Sequence, residues 1–262
     1  MYDLNDAFIS YMIGFVQTDG HHSSGTRNRG RVSIEIGYKD KDIIKKMGSL
    51  LDVNYSIRER ITNFSNGIKK RYISLNIFDW LFRKWIKEYV PVGKKSKIIC
   101  PPNESYSEVD YWRGIIDGDG SLGITGNNLP FIGLVTDSDK LAEQFVSFCK
   151  NITGQDKILK RNKRDNIYNI TIFREDAQEI IKKLYYKNCI CLNRKKEKAK
   201  EAISWKRPKD MKKITFERRW WNEDEDKFVL SHSIEESIEK LGRTKKSIGI
   251  RIWRLNKISE KI

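Results

Sequence analysis

Two nine-residue stretches, MIGFVQTDG at 12–20 and WRGIIDGDG at 112–120, stand 100 residues apart and end alike. Each is an apolar run with glycine at its third position, and each closes on an Asp-Gly pair, Asp19-Gly20 and Asp119-Gly120. If both stretches are helical, Gly14 and Thr18 share a face, as do Gly114 and Gly118, because residues four apart stack. Small residues on that face let two backbones run side by side, and both helix C-termini then deliver a carboxylate to one place. The duplication thus constrains the chain to two similar halves meeting at a seam.

The elements that follow each stretch recur in the same order, the mark of an internal repeat. After Gly20 comes a polar segment at 21–30, then an alternation over 31–37 (RVSIEIG) that predicts a half-buried strand. Residues 40–51 repeat apolar side chains at helical spacing behind an acidic start. Residues 55–61 and 70–77 read as a hairpin around Asn66-Gly67, a strong turn pair, and 78–89 as a helix stopped by Pro91. In the second half a turn at Asn127-Asn128 precedes a strand at 130–136 and a helix at 137–152. A hairpin of 156–163 and 166–173 around Arg164-Asp165 follows, then a helix at 176–186. Cys189 and Cys191, alternating with apolar residues, predict one more strand. The expected fold class is α+β, with two pseudo-symmetric αββαββα half-domains at 1–102 and 103–205.

From residue 206 the composition changes. Residues 206–219 are polar and basic, contain Pro208 and lack an apolar period, so they read as a linker. Residues 220–262 read as a small all-α domain of three helices. Asn222 caps the first; Ser233, with Glu236 in capping-box position, opens a second that ends at Gly242; Thr244 opens the third.

The net charge of +16 draws polyanions, nucleic acid before anionic membrane. Residues from 206 onward carry 16 basic and 10 acidic side chains, or +6, leaving +10 on the rest. No apolar run approaches the ~20 residues of a membrane span. The opening MYDLNDAF has two acids and no basic region of the secretory kind. An intracellular protein is expected, cytoplasmic, nucleoid-associated or organellar, and not a secreted one. Cys100, Cys149, Cys189 and Cys191 show neither CxxC pairing nor zinc spacing, and read as free thiols. Three histidines in all make a histidine-metal nuclease a poor fit; His21 and His22 read as a loop facing solvent or DNA.

Through these stretches the chain resembles the LAGLIDADG homing endonucleases of the single-chain, two-motif type. The resemblance spans residues 4–203 and rests on 12–20 and 112–120, with VGKKSKIICPP at 92–102 and LYYKNCICLNRKKEKA at 184–199. It implies a monomeric, site-specific double-strand DNA endonuclease with no obligate protein partner. Such an enzyme hydrolyses phosphodiester bonds with divalent metal and leaves short 3′ overhangs. Asp19 and Asp119, with the carbonyls of Gly20 and Gly120, would hold the metal. Mg2+ suits such a site because it is hard and content with one or two carboxylates; Mn2+ or Ca2+ could replace it in binding. The terminal glycines are expected to permit a sharp exit from each helix. Lys95 and Lys195 match the family's lysines near the scissile phosphates, with Lys94, Lys97, Arg194 and Lys196 beside them in sequence. Tyr38 and Asp137 fall where the family places water-organising residues. Asp117, the counterpart of Gln17, is expected to be structural or an ion-pair partner rather than a metal ligand. Thr18 is larger than the small residue usual at the seam.

The resemblance further implies curved antiparallel sheets that follow the major groove and read base edges while flanking cations hold phosphates. Candidates in the first half are Arg27, Arg29, Arg31, Ser33, Glu35, Arg58, Arg60, Lys69 and Arg71. In the second they are Asn127, Asn128, Lys157, Lys160, Arg161, Lys163, Arg164 and Asn169. The tail, through WWNEDED at 220–226 and LGRTKKSIGIRIWRL at 241–255, is similar to a Myb/SANT-like helix-turn-helix module. Trp221 and Trp253 would be core residues there, and Arg243, Lys245, Lys246, Arg251 and Arg254 would lie on or near a helix entering the major groove. Two other readings stay open at this point: a non-catalytic transcription regulator on the same scaffold, and an intron RNA maturase.

Overall fold

The computed structural model describes residues 2–26, 29–65, 67–209, 211 and 221–259. Arg27, Asn66, Trp220 and most of the expected linker therefore lie outside the described residues. The chain divides into two units, Met1–Arg207 and Pro208–Ile262.

The first unit opens with helix α1, Ala7–Asp19, capped by the Asp6 carboxylate, which accepts from Phe8 and Ile9 N–H. Strands β1 (Gly20–Ser24) and β2 (Gly30–Gly37) follow, then helix α2 (Lys41–Leu50), strands β3 (Tyr55–Asn63) and β4 (Lys69–Ile77), and helix α3 (Trp80–Ile86). The sheet is antiparallel in the order β1-β2-β4-β3. Alternation sends Val32, Ile34 and Ile36, with Ile73, Leu75 and Ile77, to a buried inner face. The second half repeats the scheme with α4 (Glu108–Gly118), β5 (Gly120–Ile124), β6 (Pro130–Thr136), α5 (Asp139–Thr153), β7 (Tyr168–Phe173), α6 (Arg174–Leu184) and α7 (Asn193–Ser204). Its inner face carries Leu122, Ile132, Leu134 and Ile170. The α+β class with two antiparallel sheets is as expected.

Four details differ. The segment 21–24, expected as a loop, is strand β1: polar GHHSS pairs with β2 through its backbone, and His22 alone turns inward. The second sheet has three strands, β5-β6-β7. Residues 156–163 make only an isolated bridge, Arg161 to Tyr168. That segment offers a sheet too few apolar groups, and its Ile158 is 67% exposed. Two of its four cations bond within the protein: Lys157 Nζ donates to Thr171 O (2.8 Å) and Arg161 to the Asp137 and Asp139 carboxylates (2.9 Å each). Cys189–Cys191 is no strand but a strap, with Ile190 O accepting from Arg113 Nε at 2.7 Å. Helix α7, finally, is an element the periodicity did not single out, because only Lys195, Ala199 and Ala202 of its twelve residues are buried.

The second unit holds helices α8 (Glu223–Ser231), α9 (Ile234–Leu241) and α10 (Lys245–Ser259). Asn222 caps α8, Ser233 and Glu236 form the capping box of α9, and Gly242 ends it at φ 60°. Thr244 Oγ1 accepts from Ser247 N–H at the start of α10 (3.2 Å). Among the described residues, no helix is long and apolar enough to cross a membrane.

Candidate active site and nucleic-acid interface

Helices α1 and α4 pack backbone to backbone. A methyl group on Gly14 would collide with the Tyr111 carbonyl oxygen, and one on Gly114 with that of Tyr11. Thr18, the bulky departure, is accommodated because its hydroxyl turns back onto the Phe15 carbonyl (2.8 Å) and faces the bare Gly118. Two pairs of residues, themselves 100 positions apart, then cross the seam. Tyr11 Oη donates to Asp117 Oδ2 (2.8 Å), and Tyr111 Oη to Gln17 Oε1 (2.6 Å). Gln17 Nε2 donates onward to Tyr89 O and Cys100 O (2.9 Å each). Asp117 collects two further donors, Tyr185 Oη (2.7 Å) and Leu192 N–H (2.8 Å). Asp117 is thus a buried anchor rather than an ion-pair partner. Burial pushes its carboxyl up, against the pull of Lys195 and the three donors.

The seam ends at Asp19 and Asp119. Both carboxylates reach the surface, yet the protein around them removes enough water to raise their pKa values. For Asp19 the charge of Asp119 adds to that rise, so the two act on each other. Lys95 and Lys195 counter it. Lys95 Nζ donates to the carbonyls of Gln17 (2.5 Å) and Thr18 (2.8 Å), the end of α1. Lys195 Nζ donates to Ile116 O, Asp117 O (2.9 Å) and Gly120 O (2.8 Å), the end of α4. Each ammonium thereby satisfies orphan carbonyls at the negative end of a helix. Burial brings both lysines down to about 8. Of their neighbours, Arg194 turns away to Asp40 (3.0 Å), and Lys94 and Lys97 face solvent.

Gly20 and Gly120 do not serve as left-handed exits: Gly20 has φ −89°, and Gly120 is absent from the positive-φ residues. Space requires glycine instead. A methyl on Gly20 would come within 2.5 Å of Val16 Cγ1, and one on Gly120 within 2.7 Å of Ile116 Cα. The Gly120 carbonyl already accepts from Lys195. Beside Asp119 lies a cavity of about 210 Å³ lined in part by Thr18, Lys95, Thr136 and Asp137. Asp137 is tied to Arg161 at its edge, whereas Tyr38 holds the Arg71 guanidinium 3.7 Å over its ring. Among the described residues, no group of three or more acidic, histidine or cysteine side chains gathers to hold a metal.

A groove of about 510 Å³ on the outer face of the first sheet gathers Arg31, Ser33, Glu35, Arg58 and Arg60 with His21. Arg60 pairs with Glu35 (2.5 Å) and Arg29 lies exposed nearby. Arg71 is on the opposite face, paired with Glu59 (2.5 Å), and Lys69 falls in its register. In the second half Asn169 is on the outer face and Lys160, Lys163 and Arg164 are exposed, Arg164 beside Asp165 (3.0 Å). Asn127 and Asn128 are at the β5–β6 turn, where Asn128 takes φ 55° and its carbonyl accepts from Trp205 Nε1. In the second unit Arg243 is bound to Glu225 (2.7 Å) under Trp221, and Arg251 to Asp226 (2.5 Å). Lys245, Lys246 and Arg254 remain exposed on α10, and so does Trp253, which is 61% exposed rather than the core residue expected; among the described residues of that helix Ile248 is the buried one. The tyrosine crossing and the fully buried Arg113 went unread in the sequence; the 100-residue echo of Tyr11 in Tyr111, and an arginine inside an apolar run, were the available signals.

No protein-family model matches the chain, and no curated protein does. Among solved structures it is similar to the homing endonuclease I-WcaI bound to its DNA recognition sequence. The likeness has 17% identity and a TM-score of 0.53, over 76% of this chain and 88% of that one. Looser likenesses include I-SmaMI bound to uncleaved DNA target with calcium ions (13% identity, TM-score 0.44, 66% and 82% covered) and full-length DUF199/WhiA from Thermatoga maritima (13%, 0.45, 100% and 94%). The chain shares the fold of the homing endonuclease I-WcaI.

Proposed function

We propose that the chain is a metal-dependent, site-specific endonuclease of double-stranded DNA, built on a LAGLIDADG scaffold, with Asp19 and Asp119 as its metal-holding pair. The observation that carries this reading is the meeting of the two carboxylates at the end of a glycine-crossed helix pair, each flanked by a lysine anchored to its own helix. Two carboxylates without a third acidic ligand suit a small hard cation such as Mg2+, which completes its shell from water and phosphate. When bound, such ions activate a water nucleophile and stabilise the leaving oxygen.

The chain's own groups would divide the remaining work. Asp19 and Asp119 would hold the cation and stay ionised only above their raised pKa values. Lys95 and Lys195, partly desolvated and fixed by carbonyls, would offer positive charge toward the transition-state phosphate without reorganising. The groove on the first sheet would seat the duplex, with Arg31, Arg58 and Arg60 toward base edges and phosphates. The three-helix unit would add a helix-turn-helix contact through exposed Lys245, Lys246 and Arg254 on α10.

The test is incubation of the full chain with a DNA library that includes the uninterrupted locus of its own gene, in Mg2+ and in EDTA. Metal-dependent double-strand cutting that Asp19→Asn or Asp119→Asn abolishes supports the proposal. Tight binding with no cutting in any divalent metal would sink it in favour of a regulator.

A further inference from the structure

Side chains alternate between the two faces of a strand, so register states which ones look away from the core. On the first sheet these include Arg31, Glu35, Arg58 and Arg60, four charged groups on one face. None of the strand residues on the corresponding face of the second sheet is charged, although the Lys198 side chain from α7 lies beside Gly123. Phe131, Val135 and Phe173 present apolar groups there and Ser121, Asn169 and Thr171 short polar ones, with glycines at 123 and 133. Val135 is 43% and Phe173 44% exposed. Phe131 pairs directly across from Phe173, and on its other side stands opposite Gly123, which adds no side chain.

Phe131 and Phe173 pair at one end of the face and Val135 stands toward the other, and each leaves apolar surface that an apolar partner would cover. In the major groove one base edge supplies such a group, the C5 methyl of thymine, and phenylalanine and small aliphatic side chains pack against it. The attraction to phosphate that these strand residues lack is available at the Val135 end of the sheet, where exposed Lys160, Lys163 and Arg164 lie in the segment that bridges to Tyr168. We infer that the second sheet recognises thymine methyl groups in one half of the DNA target, whereas the first sheet reads its half by hydrogen bonding. This rests on the reading of both sheets as DNA-facing, and it assigns the two halves different chemistries of specificity.

The wild-type full chain tests it without a variant. A bound site is first selected from a random duplex library, then resynthesised with deoxyuridine replacing thymine in one half-site at a time. Affinity is expected to fall about fourfold per contacted methyl, the transfer preference of one such group, in one half-site only. The paired change Arg58→Ala and Arg60→Ala is expected to relax selection in the other half-site and leave the deoxyuridine effect intact. A selected site that tolerates deoxyuridine in both halves, or suffers equally in both, overturns the inference while DNA binding stands. Failure to select any site overturns the DNA reading beneath it. A concentration-dependent dimer in sedimentation, lost on Val135→Lys or Phe173→Lys, would assign the face to a second copy and also overturn it.

Discussion

At position 17 the first half sets an amide against two carbonyls, and at the equivalent 117 the second half sets a carboxylate against three donors. Both are sealed by a tyrosine from the opposite helix, Tyr111 in one case and Tyr11 in the other. The two halves therefore keep one frame, with residues matched 100 apart, and solve it with opposite hydrogen-bonding polarity. The outer faces diverge further, with charged strand residues on the first sheet and uncharged ones on the second. What is shared is what the seam needs sterically; what differs is whatever each half can satisfy locally.

The largest expected effect tests what is common. Asp19→Asn and Asp119→Asn should each lower cleavage by at least about 10²–10³-fold, as loss of one electrostatic group at a reacting centre does, while fluorescence-based DNA binding is kept. A variant that still cuts well would break the equivalence of the two ends.

The difference at 17 and 117 is sharpened by exchange. Gln17→Glu removes the donor to Tyr89 O and Cys100 O and buries a charge with one tyrosine for support; it should cost about 3–5 kcal/mol in urea unfolding. Asp117→Asn keeps shape and leaves one donor unmatched, so about 1–3 kcal/mol is expected. The reverse order would mean that the carboxylate, not the amide, is the tighter device.

Gly14→Ala and Gly114→Ala each press a methyl into backbone and should cost about 1–3 kcal/mol by overpacking. Gly118→Ala overlaps Thr18 Oγ1 and comes within 2.5 Å of its Cβ; the hydroxyl can rotate but Cβ cannot, so a cost in the same range is expected. A negligible cost at all three would mean the helices slide apart freely.

The pH dependence of kcat/KM should be bell-shaped. The acid limb is shifted upward from the ordinary aspartate value, because burial raises Asp19 and Asp119, and the basic limb lies near 8, where Lys95 and Lys195 lose their protons. Stability runs the other way on the basic side. Between about 8 and the ordinary lysine range the unfolded chain binds more protons than the folded one, so stability rises with pH there. Lys195→Met, at a side chain only 4% exposed, should flatten that rise more than Lys95→Met. Smallest of all, Arg60→Ala at the exposed Glu35 pair should leave urea unfolding nearly unchanged, while reducing the salt slope of DNA binding by about one.

Much of the frame was legible because it depends on local rules. The strand at 31–37, the hairpin around 67, the helix behind 137 and the three caps at Asn222, Ser233 and Gly242 follow from period and end chemistry, which act within a few residues. The missing fourth strand of the second sheet was not, since 156–163 has strand-compatible spacing and loses it to side-chain bonds made by Lys157 and Arg161. Strand β1 and helix α7 escaped because each hides few apolar groups and is held by a neighbour. Arg71 shows the limit within a correct element: its strand was foreseen, but register against β3 puts it on the face away from Arg58 and Arg60.

By itself, then, the order of residues determined the duplication, the glycine seam and the two carboxylates that end it, because repeated spacing and the absence of a side chain are properties of the chain. Only the tertiary structure decided that Asp117 is a buried anchor, that Lys95 and Lys195 turn inward onto helix ends among several neighbouring cations, and that the strand residues on the outer face of the second sheet carry no charge. Those outcomes depend on which partners long-range packing brings within hydrogen-bonding distance, and on how far that packing removes water.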